Sequence, residues 1–159
     1  KFYGSIVGIS GRGESIALEQ NYCEIDSDVV DEFGIPVLRF HYTWTDHERR
    51  QAKHMHQTFE DILQGMGGIV LGDKPGAEDD YGLAAPGEII HEVGTTRMGN
   101  DPRRSVVNAW EQLHDAKNLF VVDGGPFVSQ ADKNPTWTIL ALSWRTSDYI
   151  VDQLKKQNL

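Results

Sequence analysis

Apolar residues follow three rhythms along this chain, and each predicts an element. Across residues 21–44 they alternate with polar ones. Tyr22-Cys23-Glu24-Ile25-Asp26 begins the pattern and the stretch from Val37 to Trp44 keeps it more strictly. Leu38, Phe40, Tyr42 and Trp44 then share one face, with Val37, Arg39, His41 and Thr43 on the other. A period of two predicts a pair of strands, with Asp31-Glu32-Phe33-Gly34 as the turn before Ile35-Pro36. The aromatic face reads as core. The Arg39/His41 face reads as solvated, the usual antiparallel pattern, in preference to the lining of a polar pocket. From Thr45 the rhythm turns helical. Thr45-Asp46-His47-Glu48 is a capping box, and Ala52, Met55, Phe59, Ile62, Leu63 and Met66 recur at helical spacing. Gly65, Gly67 and Gly68 should end this helix.

The third rhythm lies in residues 118–150, and the rest of the chain is organised around it. Leu119-Phe120-Val121-Val122 has the form of a short buried strand, closed by Asp123-Gly124-Gly125-Pro126. A polar connection leads to Asp132-Lys133-Asn134. Pro135 then opens a second helix, with Asn134 as its expected N-cap. From Thr136 to Trp144 this helix has almost no charge, which predicts burial on all sides. Its N-terminus would bring free N–H groups and a positive dipole end into the interior, where something electron-rich should lie against them.

Between these elements the signals are weaker. Ile69-Val70-Leu71 is a short strand candidate. Residues 72–87, rich in Gly, Pro and Asp, read as a loop and as the natural divide of the chain. Gly11-Arg12-Gly13-Glu14-Ser15-Ile16 starts like a dinucleotide fingerprint but has Ile16 in place of the third glycine. It reads as a turn between strands rather than a nucleotide site. Gly72-Asp73-Lys74-Pro75 is not a phosphate loop, because no Gly-Lys-Ser/Thr follows.

Charge narrows the partners. The formal net charge of −9 argues against nucleic acid or an anionic membrane, and no apolar run has the length of a membrane span. The single cysteine, Cys23, excludes an internal disulfide framework and a Cys-based zinc site, and reads as a small half-buried strand residue. His54 and His56 stand two apart, so they face different ways and read as solvated or partly packed, not as paired metal ligands. The first residue is not Met, which suggests a processed or truncated start.

His91 sits between Ile89-Ile90 and Val93-Gly94. On its own it reads as a hydrogen-bonded core histidine. No second histidine follows His91-Glu92 at zinc-protease spacing, no Ser sits in a nucleophile elbow, and no two acids are paired by spacing for glycoside hydrolysis.

Two stretches together, His91-Glu92-Val93-Gly94-Thr95-Thr96-Arg97-Met98-Gly99 and the segment from Asn118 to Ile150, resemble the C-terminal part of a glucose–methanol–choline (GMC) oxidoreductase. Those are FAD-dependent alcohol oxidases and dehydrogenases. The resemblance implies that His91, heading a His-x-x-Gly-Thr segment, is the general base for the substrate hydroxyl, a role suited to imidazole. Asn134, in the Asn-Pro version of the second position, would orient the alcohol oxygen. The backbone around Pro135 and Thr136 would meet the flavin, and Asp123-Gly124 the ribityl–phosphate part. Arg97 would be a charged anchor in a loop.

The fold class implied is α/β. An antiparallel substrate-domain sheet with its helix (1–86) would be followed by the C-terminal return into a Rossmann-like FAD-binding domain (87–159). The Gly-x-Gly-x-x-Gly strand–turn–helix that would hold the ADP end of FAD is absent. The chain is therefore expected to be a fragment or one chain of an assembly, inactive alone. Its expected partners are the remaining N-terminal FAD-binding part, a sugar, polyol or sugar-acid substrate, and an electron-acceptor protein or small subunit. Asp132-Lys133-Asn134-Pro135 and Trp144-Arg145-Thr146-Ser147-Asp148 are most similar to bacterial members acting on sugars, glycosides or sugar acids, and favour a dehydrogenase over an oxidase. Two other classes stay open: a non-catalytic structural partner for another chain, and a cofactor-free binding domain with a coincidental Asn-Pro.

Overall fold

The computed structural model describes residues 3–130 and 132–159. Their order is β1 (Tyr22–Val30), β2 (Pro36–His41), α1 (Asp46–Gly65), a short 3-10 helix (Ala77–Gly82) and α2 (Thr136–Lys155). The fold is mixed α/β with one two-stranded antiparallel sheet. The chain forms two compact units. One joins the residues up to Ser15 with Trp44–Ala85, the other Ile16–Thr43 with Pro86–Leu159.

In the first unit α1 begins at the expected capping box. Thr45, extended at φ −97° and ψ 175°, accepts from the His47 N–H, and Glu48 Oε2 accepts from the Thr45 N–H at 2.8 Å. The helix ends in a Schellman motif: the Gly67 N–H donates to Gln64 O and the Gly68 N–H to Leu63 O, with Gly67 at φ +77°. The glycine-rich start lies flat across α1. A Cβ on Gly11 would stand 2.6 Å from Met55 Sδ, and one on Gly13 would stand 1.6 Å from Gln51 Oε1. The expected turn between strands is thus an irregular segment, with glycine chosen for close approach to a helix. Ile69-Val70-Leu71 is not a strand either. All three residues are exposed, and no other strand of the described chain pairs with them.

The loop after it is stapled to α1. Arg49 Nε donates to Asp80 Oδ1 at 2.7 Å, Lys74 Nζ to Glu60 Oε2 at 2.9 Å, and the Trp44 indole to Ala84 O at 3.2 Å. His56 Nε2 lies 2.8 Å from Tyr81 O. These bonds hold Asp80 and Tyr81 at φ 47° and 55°, a left-handed conformation that costs an L-residue about 1–2 kcal/mol.

In the second unit the expected hairpin forms. Tyr22 pairs with His41, Glu24 with Arg39 and Ile25 with Leu38. Asp31 Oδ1 accepts from the Phe33 and Ile35 N–H groups, and Gly34 turns at φ +78°. Cys23 is half-buried on β1, as its context implied.

The faces differ from expectation. Leu38 and Phe40 are more than half exposed, because no described residue covers that side. The charged face is tied together instead. Arg39 Nη2 lies 2.7 Å from Asp26 Oδ2, and His41 stacks on Tyr22 and meets Glu24 at 2.8 Å. Asp26 is buried and also accepts from the Asp28 and Val29 N–H groups.

The Asp28 N–H foremost, then the Val29 N–H and the Arg39 guanidinium, outweigh partial burial and hold the Asp26 carboxyl below its ordinary value of 3.8. A depressed carboxylate stabilises the fold above its unfolded pKa, and that contribution fades as pH falls through the folded value. Asp26→Asn should therefore lower the melting temperature at neutral pH. The gap from the unsubstituted chain should close progressively below about pH 4, as thermal melts across pH would show.

Candidate active site

The residues from His91 onward run beside the Asp123-Gly124-Gly125-Pro126 turn and are bonded to it. The Gly94 N–H donates to Gly124 O at 3.1 Å, Thr96 N–H to Gly125 O at 3.1 Å and Met98 N–H to Pro126 O at 2.9 Å. Gly94 sits at φ +90°, a value open to glycine. A Cβ on Gly124 would meet Val93 Cγ1 at 3.1 Å and Ile139 Cδ1 at 3.6 Å. The fold thus brings together the His91 segment, the Asp123-Gly124 turn and the first turns of α2.

His91 is half-buried, and its ring has no hydrogen-bond or ion-pair partner among the described residues. The reading of a hydrogen-bonded core histidine does not hold, and both ring nitrogens are available. Asn134 is exposed and lies one residue before the cap. The N-cap is Pro135, in αR geometry with no side-chain cap bond, and its carbonyl accepts from the Ile139 N–H at 2.9 Å. The expected Asn134 cap is thus corrected, and its amide is free for other work. Thr136 is exposed at the first helical position, and the first turn carries no acidic residue. Asp123 uses Oδ1 to accept from the Gly125 N–H at 2.7 Å, which closes its own turn. Arg97 anchors its loop by donating from Nη2 to Arg104 O at 2.7 Å.

Two structural expectations fail here. Leu119-Phe120-Val121-Val122 makes one isolated bridge, Gln112 with Phe120, rather than a strand, and Leu119 and Val122 are exposed. The start of α2 is not buried on all sides: Trp137 is 83%, Leu140 57% and Trp144 74% exposed. The composition predicted an apolar environment that the described residues do not supply.

Sequence reasoning missed the clasp that fixes α2. Glu111 is fully buried at φ 59°, and its Oε2 accepts from Thr146 Oγ1 at 2.7 Å. Arg145 donates to Ala109 O and lies over the Trp110 ring, 5.1 Å from its centroid. Trp110 stacks on Tyr149 at 4.7 Å. A glutamate in left-handed backbone leaves no mark in a hydrophobic pattern, so no sequence signal pointed to it.

Thr96 Oγ1 is buried without a partner, and a Cβ on Gly125 would stand 2.1 Å from it and 2.9 Å from Asp123 Oδ1. Gly125→Ala should cost about 1–3 kcal/mol by overpacking. Thr96→Ala in the same chain should recover part of that loss, and a double-mutant cycle in denaturant would measure it.

This is an α/β chain in which the segment after His91, a glycine turn and the first turns of α2 adjoin. It belongs to the GMC oxidoreductase family: the family model of that description, for the C-terminal part, matches residues 18–143. It is 34% identical over 148 residues to a 2-methyl-1,2-propanediol dehydrogenase of Mycolicibacterium austroafricanum, across 93% of this chain and 26% of that protein. It is 33% identical to the large subunit of fructose dehydrogenase of Gluconobacter japonicus, across 94% of this chain and 26% of that one. A paromamine 6'-oxidase of Streptomyces fradiae is 33% identical across 80% of this chain and 22% of its own length. The chain thus spans about a quarter of the length of these relatives, and both dehydrogenases and an oxidase are among them.

Proposed function

We propose that this chain supplies the catalytic pair of an FAD-dependent enzyme that oxidises an alcohol group, on a sugar, glycoside or sugar acid, to a carbonyl. The observation that carries this reading is the half-buried, unpartnered His91 ring on a segment bonded to the Gly124–Pro126 turn. FAD, when bound, supplies the acceptor for the hydride that leaves the substrate carbon. His91 takes the hydroxyl proton on a ring nitrogen. Asn134 holds the alcohol oxygen through its amide. The N–H groups from Thr136 and Trp137 onward, with neither a side-chain cap nor an acid beside them, fit a group that gathers negative charge. Asp123 and Gly124 complete the cofactor wall.

In this reading residues 87–159 return into a Rossmann-like FAD-binding domain and residues 1–86 belong to the substrate domain. The ADP end is held by a part of the enzyme outside this chain. Of the two acceptor types, our reading takes a dehydrogenase with a separate electron acceptor over an oxidase; relatives of both names occur. The exposed apolar face of α2 favours a second reading of the chain taken alone, as a non-catalytic piece that acts only with a separate FAD-binding chain.

The test is an absorbance spectrum of the complete enzyme before and after anaerobic addition of a sugar and polyol panel. Flavin bands that bleach with one substrate, and bleach more slowly in Asn134→Ala, are expected. Colourless, well-folded protein would overturn the proposal.

A further inference from the structure

A cavity of about 480 Å³ opens in the first unit between α1 and the stapled loop. Arg50, Lys53, His54 and Gln57 line it from α1, at the i, i+3, i+4, i+7 spacing of one helix face. Lys74, Pro75 and Tyr81 line it from the loop. Acidic residues outnumber Lys and Arg 24 to 15 in the sequence, so uncompensated positive charge runs against composition. Yet Arg50, Lys53 and His54 have no side-chain hydrogen bond or ion pair to any described residue. Their neighbour Arg49 is bound to Asp80, and Lys74 to Glu60. The opposite wall is held in place by force: Tyr81 is kept at φ 55° by the His56 contact to its carbonyl and by the bond from its own N–H to Gly76 O at 2.8 Å. Strained backbone that the surroundings over-determine is characteristic of ligand-holding sites.

We propose that this cavity binds a small organic oxyanion, a phosphate or carboxylate ester-sized molecule with an apolar part. The guanidinium of Arg50 and the ammonium of Lys53 donate to the oxyanion. The Tyr81 ring, Pro75 and the methylene stems of the basic side chains pack on the apolar part. The volume suits a molecule of that size. The proposal does not depend on the oxidoreductase reading.

Calorimetric titration of the intact protein with inorganic phosphate and with phenyl phosphate tests it. Saturable binding of both is expected, with phenyl phosphate several-fold tighter. Arg50→Gln/Lys53→Gln should weaken both roughly tenfold or more, while Arg103→Gln, absent from the cavity lining and paired to Asp101, should leave them unchanged. Tyr81→Gly should erase the preference for phenyl phosphate without lowering the melting temperature, because glycine accepts the left-handed backbone. Absence of saturable binding at millimolar concentrations would overturn the proposal. So would equal loss in Arg103→Gln, or affinity indifferent to Arg50 and Lys53. Equal affinity for the two probes would overturn the apolar half of the site.

Discussion

His91→Ala should slow alcohol-dependent flavin reduction in the complete enzyme by roughly two to four orders of magnitude. The expectation follows from the free ring nitrogens and from the ladder that fixes the segment to the Gly124–Pro126 turn. Those bonds are all backbone, so removing the imidazole leaves the turn intact and folding should be unaffected. Substrate affinity should change little, because binding is spread over other groups while proton transfer belongs to one. Added imidazole should restore part of the rate. His47→Ala, exposed at the start of α1, is the control and should leave the rate as it was. A His91→Ala enzyme within about threefold of the original under stopped flow would remove the histidine from the chemistry.

The second large effect concerns α2. Trp137, Leu140, Trp144, Val151 and Leu154 are all half exposed or more, and their spacing puts them on one stripe. A contiguous exposed apolar stripe is expected to be an interaction surface, and the relatives are about four times as long as this chain. Leu140→Lys with Trp144→Glu exchanges two anchors for an i,i+4 pair of opposite charge. The helix itself should tolerate it. Seating the stripe against apolar partners should then cost several kcal/mol, because charges replace aromatic and aliphatic surface. Flavin content of the purified complete enzyme should fall at least tenfold. Full flavin content in this variant would mean that the stripe is not buried in the assembled enzyme.

The parts of the fold that were legible in the sequence are those whose causes are local. Thr45 and Glu48 satisfy each other's backbone needs within one turn, and Gly67 supplies the left-handed residue that ends α1, so that helix was readable end to end. The hairpin was equally readable from its alternation and its Asp31 turn. Burial was not. Leu119, Val122, Phe40 and Trp144 have the chemistry of core residues, but no described residue covers them. Pro135 took the cap because its fixed φ and free carbonyl suffice to start α2, and that freed Asn134. At the site, the segment after His91, the Gly124–Pro126 turn and Ile139 of α2 adjoin, a long-range arrangement that no local pattern encodes. Glu111 and Thr146, which lock α2 from behind, are joined across 35 positions, and neither is distinctive in its neighbourhood.

The uncovered apolar faces also govern how this chain should respond to heat and denaturant when handled alone. Among the described residues the buried hydrophobic core is Ala52, Val107 and Phe127, and of these only Val107 is wholly withdrawn from water. Unfolding therefore has little apolar surface left to expose. The heat-capacity increment should fall well short of the usual ~12–15 cal/mol/K per residue. The slope of stability against denaturant should be correspondingly shallow, giving a broad transition instead of a sharp one. Both quantities should rise towards ordinary values when the chain unfolds from the assembled enzyme.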